Sequence, residues 1–434
     1  MRSAPSSCPA PTRAWALCGA GVTIFVALLA LAALDPGPGT ASFFALLGLA
    51  SAGYLTAMRL IAMGLCPSGR TLIACAVLAA AWRVPLALAP THPLADVSRY
   101  VWDARLVRAG LDPYSAIPSD PSLTRLRTPE SWPLNNPDVP SPYPPGAQLF
   151  FLAATALRES ALAIKIGILL CEALIAFALW RWLTSVAVSP GWMLGYLWNP
   201  LVSFEAARQG HVDVLGALLV LLAALALLRQ RSLLGSTALA LAVAVKPLAI
   251  VLLPLLWRRV SRGALAAAIL LLLSIYLPFW RGGPFPLGSV PDVIRRFRFN
   301  GPVFAAVASH AGPTIATALA VAAGLAVAAW ARQRVSLASP VAWAWPMAIT
   351  LVCSPLVYPW YLIWLAPFFV APATVPLMLW TVSIQSTYVV WARAPLEAPW
   401  VVPGWALFFE YGGVAAATLW VFGRRGTRRS NPQL

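Results

Sequence analysis

Apolar runs of roughly 17–25 residues recur along this chain, and each is long enough to cross the hydrocarbon core of a bilayer. They fall near 15–34, 41–62, 71–89, 162–180, 190–205, 212–228, 264–279, 311–330, 340–353, 357–371, 374–391 and 404–422, with shorter or broken apolar stretches at 145–157 and 233–256. Lipid offers no water to a free peptide group, so such runs must close their hydrogen bonds internally, as helices. The expected fold is an all-α polytopic membrane protein, a bundle of about 11–13 transmembrane helices. It forms a single integral-membrane domain over residues 1–434. No soluble class accommodates a chain that is 60% hydrophobic and only 10% charged.

A net charge of +17 would point to nucleic acid in a soluble protein. Here the basic residues sit in short loops and tails, where the positive-inside pattern accounts for them, so no nucleic-acid partner is expected. Arg2 and Arg13 precede an apolar run too long for a usual cleaved signal, which makes it an uncleaved first span. The six cysteines (Cys8, Cys18, Cys66, Cys75, Cys171 and Cys353) lie in or beside apolar segments without metal-ligand spacing, so neither disulfides nor a zinc site is expected.

Arginine placement orients the chain in an inner (plasma) membrane. Arg2 and Arg13 hold the N-terminus in the cytoplasm, with Arg59 and Arg70, Arg258, Arg259 and Arg262, and Arg332 and Arg334 on the same side. The tail 424–434, with Arg424, Arg425, Arg428 and Arg429, is cytoplasmic as well. Three spans (1–89) then lead to a polar extracytoplasmic loop at 90–145. Central helices (146–279), a second outer loop (280–310) and the C-terminal spans (311–423) follow. Between 145 and 257 two threadings compete. Counting every apolar stretch as a crossing puts Arg229 and Arg231 outside and His211 and Asp213 inside. Leaving 145–157 non-spanning and breaking 233–256 at Lys246-Pro247 reverses that, and proline's missing donor makes the break reasonable. The second threading is preferred.

The loop at 90–145 holds six of the fourteen acidic residues. A connection that long is functional or disordered, and its tyrosines and tryptophans argue against disorder. If a helix begins near Asp96, spacings of four and seven put Asp96, Tyr100 and Asp103 on one face. At the membrane surface a partly desolvated Asp96 would be strengthened as a general base. The alternative is a capping role for Asp96 and an ion pair from Asp103 to Arg99 or Arg105.

Ionisable residues inside apolar segments each cost roughly 2.5–3.5 kcal/mol at a span centre, and so need a compensating role. Glu172 reads as one end of an interhelical hydrogen bond. Glu205, Arg208, His211 and Asp213 crowd one junction after Trp198-Asn-Pro200, where Glu205 and Arg208 form a mutual pair or contact a ligand. Lys246, with no acid nearby in sequence, suits an anion. The run Tyr358-Pro-Trp360-Tyr361 is either an interfacial aromatic belt or a surface on which a sugar stacks. With the basic loop Arg295, Arg296 and Arg298, these groups suit a lipid-phosphate leaving group and a hydroxyl nucleophile, that is, glycosyl transfer from a polyprenyl-phosphate sugar.

An ordered set of pieces runs from about 90 to 365. It comprises Asp96-x-x-Arg99-Tyr100-x-Trp102-Asp103-x-Arg105, Gly110-x-x-Pro113-Tyr114, Tyr143-Pro-Pro145, Trp198-Asn-Pro200, Glu205 with Gly210-His211-x-Asp213, Lys246-Pro247, Arg298-Phe-Asn300 and Ser354-Pro with Pro359-Trp-Tyr361. In these the chain resembles the GT-C superfamily of integral-membrane glycosyltransferases. It is most similar to the bacterial polyprenyl-phosphomannose-dependent mannosyltransferases, including glycosyltransferase family 87.

The resemblance implies a GT-C-type bundle with Asp96 as the general base on an acceptor hydroxyl and with inversion at the anomeric centre. Asp103 would support it or bind acceptor, and Lys246, His211, Arg295, Arg296 and Arg298 would hold the donor phosphate. Arg99, Tyr100, Tyr114, Glu205, Asp213, Tyr358, Trp360 and Tyr361 are the further substrate-binding candidates. Some superfamily members carry Asp-x-Asp or Glu-x-Asp where this chain has Asp96-Val-Ser, which leaves a divalent metal open. The large soluble C-terminal domain of some relatives has no counterpart before Leu434, which points to a lipid-linked or cell-envelope polysaccharide acceptor rather than a protein. The competing reading is a secondary transporter or lipid flippase, against which stand the gathering of polar groups at one face and the lack of an internal repeat.

Overall fold

The computed structural model describes residues 11–91, 95–280, 285–392 and 400–429, with side chains from 12 to 423 within those ranges. Arg2, Cys8 and the side chains of Arg424, Arg425, Arg428 and Arg429 lie outside the described residues. Among the described residues every regular element is helical, and the β-type contact is an isolated bridge between Phe299 and Leu356. Among the described residues, eight helices are long and apolar enough to cross a membrane: Thr12–Leu34, Ala41–Ala62, Gly69–Leu88, Ala161–Ser185, Arg262–Phe279, Pro313–Arg334, Pro372–Ala392 and Gly404–Gly423. The chain is a multi-pass, all-α membrane protein. Thr40, Ser68, Ser160 and Ser261 start four of these helices, each accepting a backbone N–H from the first turn, which satisfies a donor the helix itself cannot.

The expected spans at 190–205, 340–353 and 357–371 are not long helices. The first is a string of short turns, Pro190–Met193, Leu194–Leu197, Pro200–Ser203 and the wide π turn Phe204–Arg208. Val341–Val352 has 12 residues with Pro346 inside it, and Pro359–Trp364 and Ala366–Phe368 are tight 3-10 turns. Proline is the cause, since it removes a donor and clashes with the turn before it. Irregular backbone survives at membrane depth only under protein cover, and here it has that cover. Leu201, Val202, Ser203, Leu362, Ile363, Trp364, Leu365 and Ala366 are all fully buried. The stretch 145–157 holds only the ten-residue helix Pro145–Ala154. In 233–256, helix Ser232–Val245 stops, Lys246 is extended (φ −152°, ψ 143°), and the 3-10 segment Pro247–Leu256 follows.

Two joints position the site. Pro200–Arg208 meets Asp213–Leu228 at 119°, and the turn between them needs Gly210 at φ +75°, where an added Cβ would press to 3.2 Å from Lys165 Cγ. The second joint brings the two polar loops together. Ser289 Oγ donates to the Pro140 carbonyl at 2.8 Å. Gly288, at φ +54°, lies so close to the Ser141 carbonyl that a Cβ would fall 1.9 Å from it.

The first loop is ordered by its own small core of Trp102, Leu106 and Leu134. Arg99 adds hydrogen bonds to the Asn136 and Val139 carbonyls, at 3.2 and 2.8 Å. Deeper in the bundle, Glu172 is one end of an interhelical bond whose partner is Arg83. The pair is bidentate at 3.0 Å, and Arg83 also reaches the Leu197 carbonyl at 2.9 Å. A fork of this kind spares both charges from lying alone in an apolar span.

Candidate functional site

Asp96 opens helix Asp96–Arg108, in the first turn where backbone N–H groups favour an anion. Its side chain is 16% exposed. Asn135 Nδ2 donates to one carboxylate oxygen, and the Tyr143 hydroxyl donates to the other at 3.0 Å. His211 Nε2 lies 3.6 Å from that second oxygen. On its far side His211 Nδ1 sits 2.9 Å from Glu205 Oε2 and 3.3 Å from the Glu205 carbonyl. Glu205 is buried and takes the Tyr388 hydroxyl on its other oxygen. The result is a row of carboxylate, imidazole and carboxylate whose Asp96 end alone is open. Burial first, and then the neighbouring Asp96, raises the Tyr143 pKa well above its ordinary value, which keeps that phenol a donor.

The imidazole also begins a stack of rings. His211 lies on Trp360 with centroids 4.3 Å apart and planes 8° apart, Trp360 on Tyr358 at 4.5 Å and 3°, and Tyr358 on Phe299 at 4.6 Å and 21°. Both faces of Trp360 and of Tyr358 are thereby occupied, so these residues turn ring edges outward. Stacking of this kind fixes the His211 plane relative to Asp96.

Lys246 has no acid nearby in sequence, yet the fold supplies one. Its ammonium sits 2.8 and 2.7 Å from the two oxygens of Asp213 and 4.5 Å above the ring of Tyr361. Asp213 is fully buried and also accepts from Trp364 Nε1 at 2.7 Å. Lys246 keeps 18% side-chain exposure while its ammonium is paired with the buried Asp213. Glu205 and Arg208 do not pair with each other. The π turn between them changes their spacing on the helix surface, and Arg208 instead binds Asp35 at 2.6 Å.

Tyr100 and Asp103 share the face of Asp96, as their spacing demands, and all three meet the segment 135–148. Tyr100 stacks on Phe151 at 4.3 Å and meets Tyr143 edge-on at 4.9 Å. Tyr114 donates to the Tyr143 carbonyl at 2.9 Å. Asp103 is fully buried, accepting from Arg99 Nε and Gln148 Nε2 at 3.1 Å each and from the Ser141 hydroxyl. Burial pushes the Asp103 carboxyl up, against the lowering pull of Arg99, Ser141 and Gln148.

The loop arginines lie on or just beyond the short helix Val290–Arg296. Arg295 lines an open groove with Thr314, Thr317 and Val321. Arg296 lies 3.7 Å from Asp292 at the surface. Arg298 turns back on the carbonyls of Ile294, Arg295 and Phe297.

Sequence reasoning passed over Lys165, buried against the Ala87 and Ala89 carbonyls at 3.3 Å, and Glu410. Both are charges inside apolar spans, and the rule that picked out Glu172 would have found them. Asn135 and Tyr388 carried no comparable local signal. Among the described residues no three His, Cys, Asp or Glu side chains converge as a metal-ligand set.

Fold and site together define a multi-pass membrane protein with a half-open carboxylate, backed by an imidazole, at the joint of a broken helix. The chain belongs to the α-(1→6)-mannopyranosyltransferase family, whose N-terminal-domain model matches residues 15–261. It is thus a membrane glycosyltransferase of a mannosyltransferase family. The match takes in Asp96, Glu205, His211, Asp213 and Lys246, while Trp360, Tyr358 and Phe299 of the ring stack and the second loop lie beyond it. No curated protein and no solved structure matches the chain.

Proposed function

We propose that the protein transfers mannose from a polyprenyl-phosphate donor to a lipid-linked or cell-envelope glycan acceptor at the extracytoplasmic face. Asp96 is the general base. It takes the proton of the acceptor hydroxyl as that oxygen attacks the anomeric carbon. The bond from that carbon to the phosphate oxygen breaks, its electron pair stays on the phosphate, and the centre inverts. The single observation that supports this most is the open side of Asp96, whose contacts with Asn135, Tyr143 and His211 hold the carboxylate in place. The family description names an α-(1→6) linkage, and that is the linkage expected of the product.

The other residues divide between donor and framework. Lys246 is the cation best set to meet the lipid phosphate, since it keeps some exposure while its ammonium lies over the ring of Tyr361. Arg295, at the mouth of an apolar groove, and Arg296 and Arg298 beside it suit the same anion as the lipid approaches. His211 and Glu205 orient Asp96, and Asp103, Arg99 and Tyr100 fix the loop that carries it. The termini are cytoplasmic, in a plasma membrane whose outer face bears the two loops.

The test is transfer of radiolabelled mannose in membranes given either polyprenyl-phosphomannose or a nucleotide-linked mannose. Label entering a glycan only from the lipid donor supports the reading. Transfer from the nucleotide sugar in its place contradicts it.

A further inference from the structure

Glu410 lies in the last long apolar helix, Gly404–Gly423, far from Asp96 in sequence and outside the family-matched residues. It is fully buried. Its partners are neutral donors rather than a cation: Asn300 Nδ2 at 3.1 and 3.0 Å to its two oxygens, and Trp380 Nε1 at 2.6 Å. A carboxylate held this way in an apolar span is costly. The helix also widens into a π turn around it, Phe408–Gly412, a distortion frequent where a side chain has a task.

What Glu410 grips is a tight turn at the end of the second loop. Asn300 stands at φ +55°, a left-handed conformation that asparagine tolerates better than most residues. The same amide nitrogen that binds Glu410 also donates to the Val357 carbonyl at 3.2 Å, and the Asn300 carbonyl accepts from Tyr411 at 2.6 Å. On either side of that amide are the neighbours Phe299 and Tyr358. Phe299 is further bound to its partner segment through Phe299 N to the Pro355 carbonyl and Val357 N to the Phe299 carbonyl, at 3.0 and 2.9 Å. Phe299 and Tyr358 are the outer rings of the stack that ends on His211.

We infer that Glu410 is a positioning residue for the catalytic pair, acting through Asn300 and the four stacked rings to hold His211 against Asp96. The role rests on the reading of Asp96 as the base. It gives the C-terminal part of the chain a defined share in holding Asp96, His211 and Glu205, which all come from the N-terminal part. Its action is directional. Loosening Glu410 tilts the ring stack, turns the imidazole and frees the Asp96 carboxylate to rotate, while the donor cations stay where they are.

The chain has three histidines, so in a His92→Gln, His310→Gln background a histidine-labelled sample reports His211 alone by NMR. Glu410→Gln keeps the shape but puts an amide where two donors point, and it is expected to move the His211 ring resonances. Glu410→Asp is expected to restore them in part. Mannosyl transfer by Glu410→Gln is expected to lose on the order of 10–100-fold in kcat, with KM for the donor unchanged. In a Trp360→Leu background, where the stack is already cut, the same substitution is expected to have little further effect, since coupled residues are not additive. Unmoved His211 resonances in a folded Glu410→Gln protein overturn the inference. So does an equal loss of rate with and without Trp360. The two ideas fail separately: absence of mannosyl transfer in the wild type sinks the assignment of activity, while the His211 resonances still judge the positioning.

Discussion

Helix Asp96–Arg108 carries two carboxylates on one face, seven residues apart, and the surrounding loops treat its two ends differently. At the first turn Asp96 keeps an open side and has an imidazole 3.6 Å away, itself backed by Glu205. Two turns on, Asp103 is sealed, with its oxygens taken by Arg99, Ser141 and Gln148. Residue type, helix face and even shared contacts with the segment 135–148 are common to both. What differs is the cover: the second loop closes over Ser141 through Gly288 and Ser289, while the Asp96 side chain keeps 16% exposure. A sealed carboxylate holds a loop in shape, whereas an open one with a fixed imidazole behind it can take a proton.

That contrast can be broken by substitution. The largest effect is expected from Asp96→Asn, which keeps the shape and removes the proposed base. Transfer should fall by about 10²–10⁴-fold, the usual worth of a positioned base, with no loss in thermal stability of the purified protein. Asp103→Asn should do the reverse. Leaving Arg99 buried without its anion costs on the order of 3–5 kcal/mol, read as a lower melting temperature, while each folded molecule turns over at close to the wild-type rate.

Glu205→Gln tests whether the imidazole matters to the open end alone. It should lower kcat by about 10–100-fold through misplacement of His211, and a rate equal to wild type would remove the backing carboxylate from the account. The smallest effect belongs to Glu159, which binds Arg108 at 2.9 Å and also Arg105, all of them about one-third exposed. Glu159→Gln should change stability by less than about 1 kcal/mol, measured by the same melts, and should leave the rate alone.

Much of this contrast was legible in the sequence. The apolar runs demanded a helical membrane protein, and the spacing of Asp96, Tyr100 and Asp103 demanded one shared face. What spacing could not tell is which end of that face the rest of the chain covers, because Gly288 and Ser289 come from a loop nearly 150 residues on. The partner of Lys246 was hidden for a similar reason, since Asp213 reaches it only through the packing of two broken helices. Local reading placed Glu205 and Arg208 together because it assumed ordinary helix spacing, which the π turn does not keep. Proline signals the break at Lys246-Pro247, and Pro190, Pro200, Pro346, Pro359 and Pro367 interrupt the chain in the same way. At the latter positions apolar composition alone suggested full spans.

The difference between the two halves of the chain carries the same lesson. Asp96, Glu205, His211, Asp213 and Lys246 lie within residues matched to the family, where charges inside or beside apolar runs announce themselves. The rings that fix His211 come from segments such as Pro359–Trp364, where aromatic residues resemble an ordinary interfacial belt. Their role becomes visible only when their planes are seen to stack.

The most direct measurement is a side-by-side comparison of Asp96→Asn and Asp103→Asn in one preparation, recording the initial rate of mannose transfer from polyprenyl-phosphomannose and the melting temperature of each. The account predicts a crossed result: Asp96→Asn melts like wild type and hardly transfers, while Asp103→Asn melts early and transfers normally per folded molecule. A full rate from Asp96→Asn, with the loss found at Asp103 instead, would contradict it and move the base two turns along the helix.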